Sequence, residues 1–283
     1  MATFFNQATL TYNNNVTSSN IVSGELLEVL TATKTAVPDS YRPGDAVTYV
    51  VSLVNAGPLP YTGLTVTDDL GAYPLGEAQV VPLTYVDGSV QYSLNGVLQA
   101  DPTVSGEAPL VFEGITVPAG GNAMLIYAAV ANGFASPAAD GSIVNTVTVT
   151  GGGLNTPVTA TETVVATSGP MLTISKAISP DTVVGNGQLT YTFVLQNNGN
   201  TPAEAVDNLV VTDTFDPILD IISVTYNGQP LTEPADYTYD EATGLFQTVA
   251  GRLTVPAATF LQNEEGQYVV TPGIGVLMVT GTV

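Results

Sequence analysis

The chain contains two lysines, Lys34 and Lys176, and they occupy the same position in two internal repeats. Each lysine ends a short alternating run, LTATK in the first repeat and LTISK in the second. Because side chains two residues apart share one face of a strand, each lysine continues an apolar row that faces the core. Burial disfavours the charged form of an amine. A neutral amine is a nucleophile, so the two positions predict covalent chemistry.

The first repeat also predicts an inward-facing carboxyl and an inward-facing amide. Asp68 ends the run LTVTD and Asn145 begins NTVTVT, and both follow the parity of their apolar neighbours. A buried carboxyl stays protonated more readily, so it can polarise an amide carbonyl and carry protons. Lys34 Nζ would attack the Asn145 side-chain carbon and release ammonia, which leaves an isopeptide cross-link. The alternative is a buried Lys–Asp ion pair without a covalent bond. Asp69 is a less favoured partner because its parity points outward.

The second repeat supplies Lys176 and Asp213 but no equivalent asparagine after them. The N-terminal segment NQATLTY, beginning at Asn6, resembles the segment NTVTVTG that begins at Asn145. We therefore predict that Lys176 of one subunit bonds to Asn6 of a neighbour, with Asp213 assisting as Asp68 does in the first repeat.

Strands must position these residues. TYVVSLVNAG, residues 48–57, matches TYTFVLQNNG, residues 190–199, and short alternating runs lie between turns rich in Gly, Pro and Asn. This pattern predicts an all-β protein of two tandem immunoglobulin-like antiparallel β-sandwich domains. The predicted boundaries are 1–24 for an N-terminal donor strand and linker, 25–167 for the first domain and 168–283 for the second.

The second predicted domain lacks its final strand. Residues 117–130 align without a gap with residues 270–283, after which only the first copy continues into a further strand. An added strand from another chain would complete such an open sandwich, as in donor-strand complementation. The alternative is that residues 1–26 form a disordered tail or an ordinary first strand of the first domain. The predicted donor-strand residues are Phe5, Asn6, Ala8, Leu10 and Tyr12.

The order K…PGDxxTYxxxxxNxG…LTVTD…NxxTVT resembles the conserved repeat domain of bacterial surface proteins (domain of unknown function eleven). The resemblance covers nearly the whole chain, in two copies. More loosely, the chain is similar to the isopeptide-stapled domains of Gram-positive pilins and to clostridial spore-appendage subunits. The resemblance implies a structural role at a cell or spore surface. It also implies a Lys, Asp/Glu and Asn triad for the cross-link.

The composition argues against several classes of function. The absence of His and Cys excludes histidine-based acid–base catalysis, thiol chemistry, disulfides and the usual zinc sites, so we expect no enzyme beyond the autocatalytic cross-link, no metal and no cofactor. A net charge of −21 argues against binding to nucleic acid or to anionic membranes.

These observations predict a structural subunit of an extracellular fibre whose main partner is a second copy of itself, joined head to tail. Anchoring or tip proteins are left open as further partners. The start of the chain has no basic segment followed by an apolar run, so we expect a mature form or an unusual export route. The alternatives are an adhesin or carbohydrate-binding module on a stalk, an S-layer component, or a hydrolase.

Overall fold

The computed structural model describes residues 2–26 and 29–283, and these residues form β-strands joined by short turns. Within this part of the chain the one helical element is a 3₁₀ turn at Ala205–Asp207. Alternating β-branched and aromatic residues between Gly, Pro and Asn turns account for this choice of strand over helix. The predicted all-β fold with tandem immunoglobulin-like sandwiches is confirmed.

The N-terminal segment forms a two-stranded antiparallel ribbon. Its strands are β1 Ala2–Asn6, β2 Thr9–Tyr12, β3 Asn15–Ser18 and β4 Val22–Leu26. Strand β1 pairs with β4 and β2 pairs with β3, so the ribbon is one hairpin with an interruption at its middle. Asn13 and Asn14 turn the chain with φ of 43° and 61°, the left-handed values that a two-residue hairpin turn requires.

The first sandwich packs two six-stranded sheets around one core. One sheet has the order β13-β12-β16-β7-β5, with β11 also paired to β16, and the other has the order β14-β15-β8-β17-β18-β6. The strands are β5 Leu30–Val37, β6 Ser40–Tyr41, β7 Ala46–Asn55, β8 Tyr61–Asp68, β9 Tyr73–Leu75, β10 Ala78–Val80, β11 Leu83–Tyr85, β12 Gln91–Leu94, β13 Val97–Leu98, β14 Thr103–Ser105, β15 Leu110–Val117, β16 Asn122–Ala131, β17 Ser142–Gly151 and β18 Val158–Ala166.

The second sandwich repeats this plan with fewer strands. One sheet has the order β19-β20-β28-β22-β23 and the facing sheet has the order β21-β25-β24. The strands are β19 Leu172–Ser179, β20 Gln188–Asn197, β21 Thr212–Thr214, β22 Asp220–Tyr226, β23 Gln229–Pro230, β24 Tyr237–Asp240, β25 Leu245–Thr248, β26 Thr259–Gln262, β27 Tyr268–Thr271 and β28 Gly273–Thr282.

The two sandwiches differ at one edge. In the first, β8 lies between β15 and β17, and β18 follows β17 in the same sheet. In the second, β21 takes the place of β8 and pairs with β25 on one side only. Among residues 172–283, all of which the structure describes, no strand stands where β17 and β18 stand in the first sandwich. The predicted gap of one strand is therefore a gap of two.

The gapless alignment of residues 117–130 with 270–283 is wrong in register. Tyr49 of β7 faces Tyr127 of β16, whereas the equivalent Tyr191 of β20 faces Val279 of β28. Val279 therefore occupies the structural position of Tyr127, one residue from the sequence match. Strands β26 and β27 pair with each other as a hairpin between β25 and β28.

The hairpin β26–β27 contacts the first sandwich. The Gln262 side chain donates from Nε2 to the Tyr73 hydroxyl at 3.0 Å, and the Tyr268 backbone N–H donates to the Gly133 carbonyl at 2.8 Å. On the same joint, Asn200 Nδ2 donates to the Pro137 carbonyl at 3.0 Å. The two sandwiches are thus tied by hydrogen bonds in addition to the chain connection.

Candidate functional site: a buried Lys–Asp–Asn cluster

Three strands of the first sandwich bring the predicted site residues into one core. Lys34 lies on β5, Asp68 ends β8 and Asn145 lies on β17. Strands β8 and β17 are hydrogen-bonded neighbours with Asp68 opposite Val147, so Asn145 is two residues away on the same face. The lysine comes from the facing sheet, because β5 belongs to the other layer.

Lys34 and Asp68 form an ion pair in the interior. The distance from Lys34 Nζ to Asp68 Oδ2 is 2.7 Å, and both side chains are 0% exposed. The Asp68 carboxyl also accepts the Leu70 backbone N–H at Oδ1, at 2.7 Å, and the Tyr127 hydroxyl at Oδ2. Asp69 instead accepts backbone N–H groups, including that of Gly71 at 2.8 Å. Asp68, rather than Asp69, is therefore the lysine's partner.

Burial pushes both members of the pair toward their neutral forms. It lowers the pKa of the Lys34 amine, against the opposing effect of Asp68. It raises the pKa of the Asp68 carboxyl, against the opposing effects of Lys34 and the Leu70 N–H. Removal from water is the largest cause in each case, because it penalises charge. A neutral amine beside a protonated carboxyl is the protonation state that amide attack requires.

Asn145 is fully buried, and neither its Oδ1 nor its Nδ2 has a hydrogen-bond partner. The hydroxyl of Tyr49 is buried without a partner as well. Burial raises the pKa of Tyr49, and the nearby Asn145 amide lowers it by a smaller amount, although no hydrogen bond of normal geometry joins them. Unpaired buried polar groups are rare and costly in folded proteins, so their presence in this cluster indicates a chemical role.

The second sandwich has an equivalent lysine and aspartate, but both side chains are partly exposed to solvent. Lys176 Nζ contacts Asp213 Oδ2, but the lysine side chain is 40% exposed and the aspartate side chain is 20% exposed. Lys176 Nζ lies 4.2 Å from the centroid of the Tyr191 ring, much as Lys34 Nζ lies 4.7 Å from that of Tyr49. Residues 172–283 place no asparagine beside this lysine in the position of Asn145.

The strand that carries Lys176 lacks a cover. On β5, Leu30 is 3% exposed, because β18 and the opposite sheet pack over it. On β19, the equivalent Leu172 is 39% exposed, and Ile174 and Ile178 are 56% and 46% exposed. This apolar row, together with the unpaired side of β21, forms an open groove along the second sandwich, called here the acceptor groove.

The N-terminal ribbon is an antiparallel strand pair, as β17 and β18 are in the first sandwich. Asn6 faces Val22 across the ribbon as Asn145 faces Glu162 across β17 and β18. The ribbon strands pair with one another, and none of them joins a sheet of either sandwich. The predicted donor residues are all exposed. The exposed fraction is 70% for Phe5, 61% for Leu10 and 55% for Tyr12, and Ala8 and Asn6 are exposed beside them.

Phe5, one of the predicted donor residues, lies on the opposite face of β1 from Asn6. Strand alternation puts Phe4, not Phe5, on the face of Asn6, and the Phe4 ring lies against Gly24 of the paired strand. In the first sandwich Ile143, two residues before Asn145, is 2% exposed, whereas Val144 is 53% exposed. Phe4 is therefore the ribbon's counterpart of Ile143, and Phe5 is the counterpart of Val144.

Two tyrosines, Tyr49 and Tyr127, belong to the site, and neither is among the residues that the sequence predicted for it. Tyr49 and Tyr127 are cross-strand neighbours whose ring centroids lie 5.8 Å apart. The inward parity that selected Lys34 also applies to Tyr49, so that signal was present in the sequence. The described residues contain no cluster of three metal-ligating acidic, His or Cys side chains, and no helix among them is long and apolar enough to span a membrane.

The fold and the cluster thus define a class, a tandem β-sandwich protein with a Lys–Asp–Asn core site, and structural comparison finds distant likenesses among pilins. The major pilin subunit BcpA of Bacillus cereus, as its D312A variant, is 12% identical over 96% of this chain and 73% of its own, with a TM-score of 0.38. A 35 kDa C-terminal fragment of the major pilin GBS80 of Streptococcus agalactiae is 14% identical over 87% of this chain and 91% of its own, with a TM-score of 0.36.

The pilus backbone RrgB of Streptococcus pneumoniae is 14% identical over 86% of this chain, with a TM-score of 0.32, and this chain spans 55% of that structure. No family model and no curated protein matches the chain, so the resemblance to the conserved repeat domain rests on the sequence motifs alone. These likenesses are too distant to identify a function, which depends on the chain's own residues.

Proposed function

We propose that the protein is a structural subunit of an extracellular fibre, pilus-like or a spore appendage, in which the ribbon of one subunit fills the acceptor groove of the next. The observation that carries this proposal is the complementarity within one chain. The second sandwich lacks a neighbouring pair of strands, and the chain presents a pair with the same Asn position and an exposed apolar face. Added strands supply backbone hydrogen bonds and cover apolar side chains.

The register of the first sandwich specifies how the ribbon would dock. Val147 faces Asp68, so Ala8, two residues after Asn6, would face Asp213 on β21. Asn6 would then lie beside Lys176, and β4 would cover the apolar row of β19 as β18 covers β5. Burial of an aliphatic side chain contributes roughly 1.5–3 kcal/mol, so covering Leu172, Ile174 and Ile178 favours insertion.

The ribbon of a subunit cannot reach its own groove. Strand β5 begins at Leu30 opposite Asn55 and runs toward β6, where Ala166 pairs with Tyr41 and the chain leaves for the second sandwich. The ribbon therefore leaves the first sandwich at the end opposite the second. In the docked register Leu26 takes the place of Ala166, at the end of the second sandwich away from the first. The chain from Leu26 to Leu30 spans at most about 14 Å, whereas the path to that position is longer than the eight residues of β5, which extend about 26 Å. The contact must join different subunits, and it propagates because it does not close.

An isopeptide bond is the second part of the proposal. In the first sandwich, the neutral Lys34 amine attacks Cγ of Asn145, a C–N bond forms, the C–Nδ2 bond breaks, and ammonia leaves. The protonated Asp68 carboxyl gives its proton to the departing nitrogen and takes one from the attacking amine, so it ends unchanged. The supporting observations are the buried Lys34–Asp68 contact and the unpaired Asn145 amide.

The same reaction at the subunit junction would join Lys176 to Asn6 of the neighbour. The Lys176–Asp213 contact is already formed, and insertion of the ribbon would exclude water from it. Each junction would then be covalent. The protein has no other catalytic task in this account, and its main partner is a second copy of itself. The net charge of −21 keeps the subunit soluble before assembly.

The decisive observation is microscopy of the purified full chain by negative stain, beside a variant that lacks residues 1–26. Fibres from the full chain and isolated particles from the variant are expected. A full chain that stays monodisperse and binds glycans would instead favour the stalk or adhesin alternative. Fibres that form equally well without the ribbon would contradict ribbon insertion.

A further inference from the structure

We infer that the Tyr49 hydroxyl is the oxyanion donor of the cross-linking reaction, and that Tyr191 has the same role at the subunit junction. Tyr49 Oη and both polar atoms of the Asn145 amide are buried and unpaired, and the attacking Lys34 Nζ lies 4.7 Å from the centroid of the Tyr49 ring. A donor held beside the amide oxygen stabilises the negative charge that develops there when the amine attacks. This inference rests on the proposed cross-link and assigns one more residue to it.

The hydrogen bonds available before and after the reaction support the assignment. Before reaction, Asn145 brings two N–H donors and one acceptor oxygen into a site that pairs none of them. Loss of ammonia removes both donors. The remaining carbonyl then accepts from the Tyr49 hydroxyl, and the one N–H left on the former Lys34 nitrogen donates to Asp68, which already contacts that nitrogen. All three unpaired atoms are therefore either removed or satisfied by the reaction.

The other tyrosine of the site cannot take this role. The hydroxyl of Tyr127 is committed to Asp68 Oδ2, the same oxygen that contacts Lys34. It positions the carboxyl and leaves the amide oxygen to Tyr49. The second sandwich carries Val279 at the position of Tyr127, so this positioning contact is absent there. Tyr191 is retained at the position of Tyr49, which marks Tyr49 as the hydroxyl common to both sites.

The Tyr191 hydroxyl can exchange its present acceptor for the oxygen of an inserted amide. Its hydroxyl donates to the Asp216 carbonyl at 3.3 Å, a long contact, while its ring stacks on Phe215 with centroids 4.8 Å apart. Lys176 Nζ lies over the same Tyr191 ring. An inserted Asn6 amide would offer the hydroxyl a closer acceptor next to the nucleophile.

Attack, proton transfer and loss of ammonia together form the amide bond. Nζ of Lys34 adds to Cγ of Asn145, and the amide oxygen gains negative charge, which the Tyr49 O–H stabilises by hydrogen bonding without giving up its proton. The protonated Asp68 carboxyl gives its proton to Nδ2, which departs as ammonia, and it takes the proton that the attacking nitrogen loses. The carbonyl re-forms with the Tyr49 hydrogen bond retained, and no oxidant, metal or cofactor takes part.

The test is a time course of intact mass. Full chains carrying Asn6→Ala, which removes the junction reaction, are diluted from denaturant into native buffer, and quenched samples are weighed for the loss of one ammonia. Tyr49→Phe is expected to slow this loss roughly a hundredfold, the usual effect of removing one oxyanion donor. Tyr92→Phe, which removes a hydroxyl bonded to the Thr116 carbonyl at 2.7 Å elsewhere in the domain, should react at the parental rate.

Folding is checked separately from chemistry. Lys34→Ala and the double variant Lys34→Ala/Tyr49→Phe, neither of which can react, should share one far-ultraviolet circular dichroism spectrum and should both unfold cooperatively. Loss of ammonia by the parent chain together with an equally fast loss by folded Tyr49→Phe would overturn the assignment while leaving the cross-link intact. A parent chain that keeps its full mass would instead contradict the cross-link itself. At the junction, Tyr191→Phe should assemble normally but accumulate detergent-resistant oligomers more slowly.

Discussion

Lys34 and Lys176 occupy the same place on β5 and β19, yet the first side chain is completely buried and the second is 40% exposed. Each contacts an equivalent aspartate and lies over an equivalent tyrosine ring. The difference arises from the two strands, β17 and β18, that cover only the first lysine. The second sandwich therefore has the plan of the first without these two strands, and we propose that the ribbon of a neighbouring subunit supplies them.

The role of Asp68 can be tested by Asp68→Ala. The variant should keep the full unmodified mass and unfold at a lower temperature, because an unpaired buried lysine costs roughly 3–5 kcal/mol. The loss of a cross-link that closes a loop of this size adds roughly 4–5 kcal/mol in the chain-entropy model. Intact mass and calorimetry provide the measurements. Asp69→Ala is the matched control and should still lose ammonia, and an Asp68→Ala chain that loses it too would contradict the assigned role.

The rate of bond formation in the first sandwich should be bell-shaped in pH. The Lys34 pKa is lowered by burial, so the amine gains a proton and stops reacting only below that depressed value. The Asp68 pKa is raised by burial, so the carboxyl loses its proton above that elevated value. The reactive form lies between these limits, as expected for a coupled acid and base. Refolding at a series of pH values followed by mass measurement tests this, and a rate that only rises with pH would contradict it.

Ribbon insertion should be reproducible with a peptide. A chain lacking residues 1–26 should stay unassembled, and a peptide of residues 2–26 should raise the melting temperature of its second sandwich by filling the acceptor groove. A peptide with Leu10→Asp is the control, because it places a charge on the face that inserts. Equal stabilisation by both peptides, or by neither, would argue against docking in the predicted register.

The joint between the two sandwiches should depend on the hairpin β26–β27. Replacing Gln262 by Ala removes the hydrogen bond to Tyr73, and the effect on stability should be small, about 0.5–1.5 kcal/mol. Removing the hairpin tip, residues 263–267, should widen the distribution of distances between labels placed on the two sandwiches. An unchanged distribution would show that the chain connection and Asn200 suffice. Asn200→Ala in the shortened chain then provides the comparison.

Strand parity predicted much of the site, because a period of two places Lys34, Asp68 and Asn145 inward without knowledge of the fold. Parity within one strand cannot identify which strands become neighbours. The sequence prediction named only the first half of the hairpin for this reason. The second half, β3 and β4, has no lysine, and its one asparagine, Asn15, lies beside the turn.

The register error in the last strand has a similar origin. Short alternating runs of Val, Thr and Gly resemble one another at several offsets, and a slip of one residue reverses every side chain. Only the pairing of Tyr191 with Val279 shows the true alignment. The role of Tyr49 also needed the structure, because an unpaired hydroxyl is a property of its surroundings and not of its position in a strand.

The most direct test of the account is the behaviour of assembled fibres in hot detergent. Wild-type fibres should give a ladder of covalent oligomers on a denaturing gel, because the proposed bond between Lys176 and Asn6 of the neighbour would join the subunits at each junction. Lys176→Ala and Asn6→Ala should each collapse the ladder to monomer while fibres remain visible in the microscope, and Lys34→Ala, altered at the equivalent position of the first sandwich, should preserve it. Wild-type fibres that dissociate completely to monomer would contradict the covalent junction.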